Sequence, residues 1–590
     1  MPTNRKSLIL GKEFNKMSTK KIFALLLALV LSVSVLASCN KTPASQEQTT
    51  PTPTTESTPS ATTPDTPVVN PPEVVDSITL SNVQFVTGNS ALELFCVAEL
   101  EWYFAQKGIT TKQSGYPITL AVDDEIAADG YKIEADEDGL SIIGGTNRGL
   151  AYGLYAFLEK YVGVGIYAPN TITTNQEDVT LPFGVLDEFT PAFDILRDPW
   201  QPIESLSQKD GGNILYHDHL YKTLTLNTLT ATEATSQPCL SDSKNITAAI
   251  DYTKEFLAKY PGLNILTFAP TSGTDKYCTC AACSAVYTEE GSVSGTYIRF
   301  VNAIIEAVAA DYPELAFAVE VYGYLQSAPA VTKLADNVTV YISTEECHAT
   351  HPITDENCPT SVTFVQNLQS WIAAGKVRLE YVLTANDYIS TFPNFGALRE
   401  NMQFFAESGI DSFYCSGNLA SPSGEFAELR AYLVSKLLHN PSMSEEEYNA
   451  HMNAFLSAYF GNGWLYIRQY IDTTTALANN QEGVKNAPCG QTVSDYALTV
   501  ITRDEYLSRL YAFENYWNAA EELAGDRVEF VKLSRLQWQY TKLCLNPNEK
   551  DANALIAAVS KAKLAWRENQ KSIVAESNLA LVPSQWKYTS

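Results

Sequence analysis

Apolar and polar residues follow one another with different periods along this chain. Between residues 76 and 190, short runs with a two-residue period predict strands, and two longer stretches have apolar residues three or four positions apart. These stretches predict helices over residues 91–107 and 150–161. A mixture of short strands and two helices is expected to form a small α+β N-terminal domain.

Between residues 191 and 440, strand-like runs alternate with helical stretches. Six strands are expected, at residues 193–197, 264–270, 316–322, 338–343, 377–384 and 412–416. Such alternation, with Gly or Pro at most joints, is typical of parallel strands linked by helices, and a length of about 250 residues suits a (β/α)8-type barrel. The two remaining strands must lie within residues 198–240, or the barrel is incomplete.

Residues 441–590 have a helical period and no visible chemistry. Ser444 with Glu447, and Thr502 with Glu505, have the spacing of capping boxes at helix starts. Helices are expected at residues 445–459, 505–523, 527–544 and 552–569. The fold class is therefore α/β: a small α+β N-terminal domain (76–190), a (β/α)8-type barrel (191–440) and a helical C-terminal domain (441–590).

The N-terminus has the pattern of an export signal. Basic residues precede the apolar run 22–35, and small residues precede Cys39. The segment Leu36-Ala37-Ser38-Cys39 resembles a bacterial lipobox, in which the cysteine is lipidated and becomes the mature N-terminus. We expect residues 1–38 to be a signal peptide, with Met17 as an alternative start. The other interpretation is an uncleaved anchor helix, although the run is short for a membrane span.

A tether and an acidic folded part follow the signal. Of the 35 residues from 41 to 75, 21 are Thr, Ser or Pro, so residues 39–75 cannot bury much apolar area. The chain has a net charge of −27, and residues 76–590 alone have −29. This charge disfavours binding to nucleic acid or to anionic lipid. We expect an exported protein attached to the outer face of a bacterial cell membrane through its lipid anchor only.

Several acids are expected at the mouth of the barrel, because active sites of such barrels lie at the carboxyl ends of the strands. Alternation places Arg378 and Glu380 on the face of their strand opposite the apolar residues. Glu320 and Tyr322 share the corresponding face of an earlier strand. Three more acids, Glu345, Glu346 and Asp275, come just after strands.

Acids gathered at one rim are what glycoside hydrolysis requires: one protonates the leaving oxygen, and the other attacks the sugar or activates water. We expect Glu346 and Glu380 to be this pair, with Asp275 as a third candidate. The other interpretation is a structural ion network in which Arg378 pairs with Glu380 and Glu320.

A sugar site needs aromatic and polar side chains around these acids. Residues expected to line it are Glu320, Tyr322, Tyr381, Asn386, Tyr414 and His217. The pair His217 and His219 could also bind a metal or lie on a surface loop.

The cysteines form a second constellation. Cys278-x-Cys280-x-x-Cys283 is compact, and Cys239, Cys347 and Cys358 lie elsewhere in the barrel segment. In an exported protein disulfides are the expected state of Cys278, Cys280, Cys283 and Cys347. Zinc bound by three thiolates and His348 or His351 is the alternative, and no other cofactor is expected.

Two groups of motifs resemble known families. Residues 143–155 (Ile-Gly-Gly-Thr-Asn-Arg-Gly-Leu-Ala-Tyr-Gly-Leu-Tyr), closed by Tyr167-Ala168-Pro169, resemble the N-terminal domain of the α-glucuronidases, and the same domain precedes the barrel of β-hexosaminidases. Residues 278–283, 290–296 and 299–302 are similar to a bacterial family known as domain of unknown function 4838, which is placed near the α-glucuronidases. Other segments that match it are Glu346-Cys347, His351-Pro352, residues 392–395 and residues 428–433.

The resemblance covers about residues 77–475 and implies a surface-anchored glycoside hydrolase of α-glucuronidase-like architecture. Glu380 lies where the family has an acid on a late strand, and Glu346 matches the acid before the family's Cys. The family usually has an Asn-Asp pair before the Cys cluster, where this chain has Thr271-Ser272-Gly273-Thr274-Asp275. That difference motivates an alternative function, a non-catalytic carbohydrate-binding lipoprotein. No His-x-Gly-Gly-Asp-Glu segment is present in the sequence, which disfavours hexosaminidase chemistry.

Overall fold

The computed structural model describes most of the folded part of the chain. The described residues are 76–197, 213–214, 221–232, 237–271, 276–384, 389, 391–410, 412–416, 425–480, 503–545 and 548–564. The expected signal peptide, the tether and Thr502 lie outside them. Among the helices of the described residues, none combines the length and the apolarity that a membrane span needs.

The N-terminal part is built around a mixed sheet. Its elements are β1 (Ser77–Thr79), β2 (Asn82–Thr87), α1 (Ala91–Gln106), β3 (Thr110–Thr111), β4 (Tyr116–Val122), β5 (Tyr131–Ala135), β6 (Leu140–Gly144), α2 (Asn147–Phe157), β7 (Val164–Ala168), β8 (Thr171–Thr174), β9 (Thr180–Pro182) and β10 (Gly184–Phe189). Six strands pair in the order β10-β5-β6-β4-β2-β3. Both predicted helices are confirmed, although α2 begins three residues early and is followed by a π-helical turn, Leu158–Val162.

The glycine-rich segment that resembles the α-glucuronidases is the turn from β6 into α2. The Thr146 hydroxyl caps the helix by accepting a hydrogen bond from the Gly149 N–H (3.2 Å). A Cβ atom on Gly145 would lie only 2.1 Å from the carbonyl oxygen of Ala127. Glycine is therefore required where two backbone segments meet, and the motif has a structural role.

Eight strands form an all-parallel sheet. They are β11 (Asp194–Arg197), β12 (Asn213–Ile214), β13 (Tyr221–Thr225), β14 (Ile265–Ala269), β15 (Ala316–Glu320), β16 (Val338–Ser343), β17 (Lys376–Val382) and β18 (Ser412–Ser416). Their order is β12-β11-β18-β17-β16-β15-β14-β13, so the first strand in the chain pairs with both the second and the last. Strands β12 and β13 follow one another in the chain, but among the described residues they do not pair with each other. The six expected strands are confirmed, and the other two lie within residues 198–240 as predicted.

Helices connect most of these strands. They are α3 (Leu226–Thr230), α4 (Ser243–Lys259), α5 (Ala281–Glu290), α6 (Ser294–Val308), α7 (Pro359–Ala374), α8 (Leu398–Glu407) and α9 (Ala427–His439). One face of the sheet is apolar and belongs to the main hydrophobic cluster, with Val340, Leu379 and Phe413 fully buried. The residues between these positions, including Tyr341 and Glu380, are half-buried on the other face. The predicted alternation of β17 is confirmed.

The C-terminal part is helical, as predicted. Its helices are α10 (Glu445–Phe460), α11 (Trp464–Asn480), α12 (Arg503–Leu523), α13 (Val528–Leu545) and α14 (Glu549–Ala562). Ser444 and Glu447 form the expected capping box, whereas α11 was not predicted. One hydrophobic cluster includes residues of the parallel sheet and of α10–α13, among them Trp517 and Trp538. The proposed boundary at residue 441 therefore does not coincide with a break in the core.

A buried arginine joins the segment after β17 to the start of α9. Arg430 is 0% exposed, and its guanidinium lies 2.6 Å from the carboxylate of Glu425, which is 3% exposed. Its Nε donates to Asn394 Oδ1 (2.9 Å), and Nη2 donates to the carbonyl oxygen of Phe392 (3.0 Å). A buried charge is tolerated when it is paired and hydrogen-bonded in this way. The two family motifs that contain Phe392, Asn394 and Arg430 thus stabilise the fold, because they join the segment after β17 to α9.

The Arg430→Met substitution is expected to lower the free energy of unfolding by about 3 kcal/mol or more, because it leaves the Glu425 carboxylate buried without a partner. Urea unfolding of the purified chain measures the effect. As a control, Lys532→Met removes the exposed Lys532–Glu529 pair and is expected to change the free energy of unfolding little, because solvent screens an exposed pair. Equal losses in the two variants would contradict the prediction.

Candidate active site at the carboxyl ends of the strands

Three glutamates lie at the carboxyl ends of neighbouring strands. Glu320 is the last residue of β15, Glu380 lies near the end of β17, and Glu345 follows the end of β16. Glu320 on β15 pairs with Tyr341 on β16. Two residues further along β16, on the same face, Ser343 pairs with Glu380 on β17. Registered residues of parallel strands point to the same face. Glu320 and Glu380 therefore project from the face opposite the helices.

Burial and neighbouring charges raise the pKa of two of these carboxyl groups, Glu320 and Glu345. Burial and the charge of Glu380 raise the pKa of Glu320 to about 7. Desolvation, followed by the charges of Glu380 and Glu346, raises the pKa of Glu345, although part of that side chain stays exposed. Like charges at one site disfavour ionisation. Glu320 therefore exchanges its proton near neutral pH, where an ordinary glutamate has already lost it.

Two tyrosines adjoin these carboxyl groups. The Tyr322 hydroxyl donates to the carbonyl oxygen of Pro270 (3.1 Å), and burial together with the charges of Glu320 and Glu345 raises its pKa to about 12. The Tyr297 hydroxyl, fully buried on α6, donates to the carbonyl oxygen of Phe268 (2.6 Å). Both phenols therefore stay protonated beside the acids.

Arg378 occupies the next position toward the start of β17 on the same face. Its Nε donates to Ser412 Oγ (3.1 Å), and its guanidinium carbon lies 4.3 Å from the centre of the Tyr341 ring. An arginine paired with Glu320 would lower the pKa of that carboxyl group, yet the pKa is raised. The structural ion network is therefore disfavoured at Glu320.

Of the other predicted site residues, one lies with the acids and one does not, and three are outside the described residues. Tyr414 is half-buried and pairs with Glu380 in the ladder, so it lies with the acids. Glu346 is exposed, and its carboxylate accepts a hydrogen bond from Gln326. Three predicted residues, Asp275, Asn386 and His217, lie outside the described residues.

Tyr381 requires a correction. We expected it to line the sugar site, but it is 4% exposed, and its hydroxyl accepts a hydrogen bond from Asn401 on α8 (2.9 Å). Its ring lies 5.3 Å from that of Phe405. Side chains alternate along a strand, so the neighbour of Glu380 necessarily faces the helices.

Glu290 is a buried acid to which the sequence analysis gave no role. Burial alone would raise its pKa, but hydrogen bonds from Thr332, Val331 and Arg299 hold the pKa at about 2. A Cβ atom on Gly295 would lie 2.2 Å from the Glu290 side chain, so glycine leaves room for it. The family motif around Glu290 thus fastens α5 to the segment before β16.

The prediction of which cysteines lie together needs one correction. Cys278, Cys280 and Cys283 do come together, but the fourth member is Cys239, and the four sulfur atoms lie within 4.8 Å of one another. Cys347 is buried elsewhere, because it follows β16, two strands away from β14 in the sheet. In the described residues these cysteines are not in disulfides.

The two histidines considered as zinc ligands belong to a different group. His348, His351 and Cys358 are all buried, with His348 Nδ1 3.0 Å from Cys358 Sγ. His351 Nδ1 lies 2.9 Å from the carbonyl oxygen of Pro352. This group follows β16 and does not share a ligand with the four cysteines.

The raised pKa of Glu320 predicts how the free energy of unfolding changes with pH. Between about pH 4.5 and pH 7 the unfolded chain releases a proton that the native Glu320 keeps, so native stability falls across this window. Glu320→Gln removes this cost and is expected to be more stable than the natural chain at pH 8, by roughly 1–3 kcal/mol, and close to it at pH 4.5. Urea unfolding at both pH values measures this, and a loss of stability at pH 8 would instead indicate a structural ion pair.

Known structures share features with this chain at low sequence identity. A GH138 enzyme targeting pectin rhamnogalacturonan II is 9% identical, with a TM-score of 0.39, covering 82% of this chain and 91% of that one. CpGH84B is 10% identical, with a TM-score of 0.41 and coverage of 84% and 96%. A chitobiase from Flavobacterium johnsoniae is 12% identical, with a TM-score of 0.39 and coverage of 82% and 94%.

No curated protein sequence matches the chain. A family model does match it, over residues 227–472, a range that includes the cysteine cluster, Glu320, Glu380 and Arg430. The motifs quoted above had indicated the same family. Residues 227–472 of this chain thus match the model of the family described as domain of unknown function DUF4838.

Proposed function

We propose that this protein is a glycoside hydrolase in which Glu320 is the general acid and Glu380 is the base or nucleophile. The observation that supports it best is a Glu320 pKa of about 7 next to a second carboxylate on the same face of the sheet. A carboxyl group that keeps its proton near neutral pH, beside a second carboxyl group, is what acid–base cleavage of a glycosidic bond requires. Glu320 replaces Glu346 as partner of Glu380, because Glu320 lies on the same face of the sheet as Glu380, whereas Glu346 is exposed and bonded to Gln326.

In this mechanism Glu320 donates its proton to the glycosidic oxygen as the bond to the sugar breaks. Glu380 attacks the sugar carbon or removes a proton from the attacking water. Tyr322 stays protonated and donates its hydrogen to Pro270, so its hydroxyl oxygen can accept a hydrogen bond from a sugar hydroxyl. We further propose that the parallel sheet closes between β12 and β13 into a (β/α)8 barrel, whose active site would lie at this end of the strands.

The charge of the site bears on its substrate. Besides burial, the charge of Glu380 raises the pKa of both Glu320 and Glu345, so the three carboxyl groups lie close together. A site with two or three carboxylates repels the carboxylate of a uronic acid. We therefore propose a neutral glycan rather than the uronic acid that an α-glucuronidase-like architecture implies.

The first test is a screen of the purified chain against plant and host polysaccharides and aryl glycosides. With an active substrate, Glu320→Gln and Glu380→Gln are each expected to lower kcat by about a hundredfold or more, because each removes one catalytic group. Turnover by the natural chain is expected to fall as the pH rises through about 7, where Glu320 loses its proton.

Matched variants separate the alternatives. Glu306→Gln changes an exposed acid on α6 and is expected to leave turnover unchanged. Loss of turnover in Glu346→Gln but not in Glu320→Gln would restore Glu346 as the acid. Saturable glycan binding without turnover, unaffected by either substitution, would favour the carbohydrate-binding lipoprotein that the missing Asn-Asp pair motivates.

We also propose that the chain is exported and held at the outer face of a bacterial cell membrane by a lipid on Cys39. The natural chain is expected to partition into the detergent phase of Triton X-114 and to incorporate labelled palmitate. Cys39→Ala is expected to lose the palmitate label, whereas Cys96→Ala, a change in a buried core cysteine, keeps it. A natural chain that partitions into detergent, carries no label and keeps residues 1–38 would instead indicate an uncleaved anchor helix.

A further inference from the structure

Four cysteine thiols meet beside the segment that follows β14. Cys239 Sγ lies 3.7 Å from Cys280 Sγ and 3.7 Å from Cys283 Sγ, and all four sulfur atoms, with Cys278, lie within 4.8 Å of one another. Zinc bound to four thiolates at about 2.3 Å has sulfur–sulfur edges of about 3.8 Å, whereas a disulfide has a bond of about 2.05 Å. Both measured separations therefore match the edge of a zinc tetrahedron.

We propose that Cys239, Cys278, Cys280 and Cys283 bind one zinc ion as a closed, structural site. Four protein thiolates fill the tetrahedral coordination of zinc, so no position is left for water or substrate. The ion therefore takes no part in cleaving a glycosidic bond, and this proposal stands whether or not the chain is a glycosidase. It also replaces the mixed cysteine–histidine site that the sequence suggested.

The local backbone holds the ligands in place. Cys280 is the N-cap of α5, and its sulfur accepts a hydrogen bond from the Cys283 N–H (3.5 Å), which turns both thiols to one side. The Tyr287 hydroxyl donates to the Cys278 carbonyl oxygen (2.8 Å), and Asn245 Nδ2 donates to that of Cys239 (2.9 Å). The backbone at Cys278 and at Cys239 is therefore fixed by hydrogen bonds that do not use their sulfur atoms.

The cluster also joins two segments of the chain that pair beside it. Gln237 donates to the carbonyl oxygen of Thr271 (2.7 Å) and accepts from its N–H (2.9 Å), and both residues are buried. The Gln237 N–H donates to the carbonyl oxygen of Lys276 (3.1 Å). Zinc would thus fasten the segment before α4 to the segment leaving β14, whose Pro270 accepts the hydrogen bond from Tyr322.

The test uses the full chain, purified without chelator or reductant from cells that export it. Elemental analysis is expected to find about one zinc per chain, and mass spectrometry of unreduced peptides is expected to find the four cysteines as thiols. Removal of the ion by a chelator is expected to lower Tm by about 5 °C or more, and added zinc is expected to restore it.

Variants distinguish a zinc site from a cysteine cluster that binds no metal. Cys283→Ala is expected to lose the zinc, whereas Cys96→Ala, in the core of the N-terminal part, keeps it. Cys280 is exposed, so Cys280→His has room for an imidazole ligand and is expected to keep the zinc that Cys280→Ala loses. A folded chain with no bound metal and with these cysteines in disulfides would overturn the proposal, and so would stoichiometric iron in place of zinc.

Discussion

Parallel pairing limits where charged residues can lie in this protein. Helices cover one face of the eight-stranded sheet, so each strand must present apolar residues there, as Leu379 and Phe413 do. The alternate positions then point to the other face, and parallel strands all end at the same edge. Glu320 and Glu380 consequently lie near one another on that face. The effect of the Glu380 charge on the pKa of Glu320, which adds to that of burial, is a consequence of this geometry.

Most of the fold could be predicted because period and length are visible in the sequence. Strands such as Val338–Ser343 were predicted to the residue, whereas β12 has two residues and no period to detect. Helix α11 was missed although Ile467, Ile471 and Leu477 recur on one side of it and are buried. The predicted face of Tyr381 was correct, but its proposed place in the sugar site conflicted with that face.

The site was less predictable because it depends on which segments the fold brings together. The position of Glu320 followed from alternation, but its pKa depends on how deeply Glu320 is buried and on the charge of Glu380, which is 60 residues later in the chain. Cys239 is far along the chain from the Cys278-x-Cys280-x-x-Cys283 motif, and spacing alone does not link them. Pairing of the segments at Gln237 and Thr271 is what places its thiol there.

The motifs with which the chain resembles known families turn out to be structural in several places. The turn at Gly145, the Glu290–Arg299 pair and the Arg430 network each fasten one segment to another. Motifs of this kind are informative about the fold, because a buried ion pair or a glycine contact tolerates few replacements. They say little about chemistry, which the proposed mechanism places on Glu320 and Glu380 instead.

The half-protonated state of Glu320 has a consequence for binding thermodynamics. A carboxyl group with a pKa near 7 is in equilibrium between its acid and its anion at neutral pH. A neutral ligand that displaces water from its surroundings desolvates it further and favours the acid form. Binding then draws protons from the buffer. The apparent binding enthalpy depends on the buffer's ionisation enthalpy, and calorimetry in two buffers reads out the proton uptake directly.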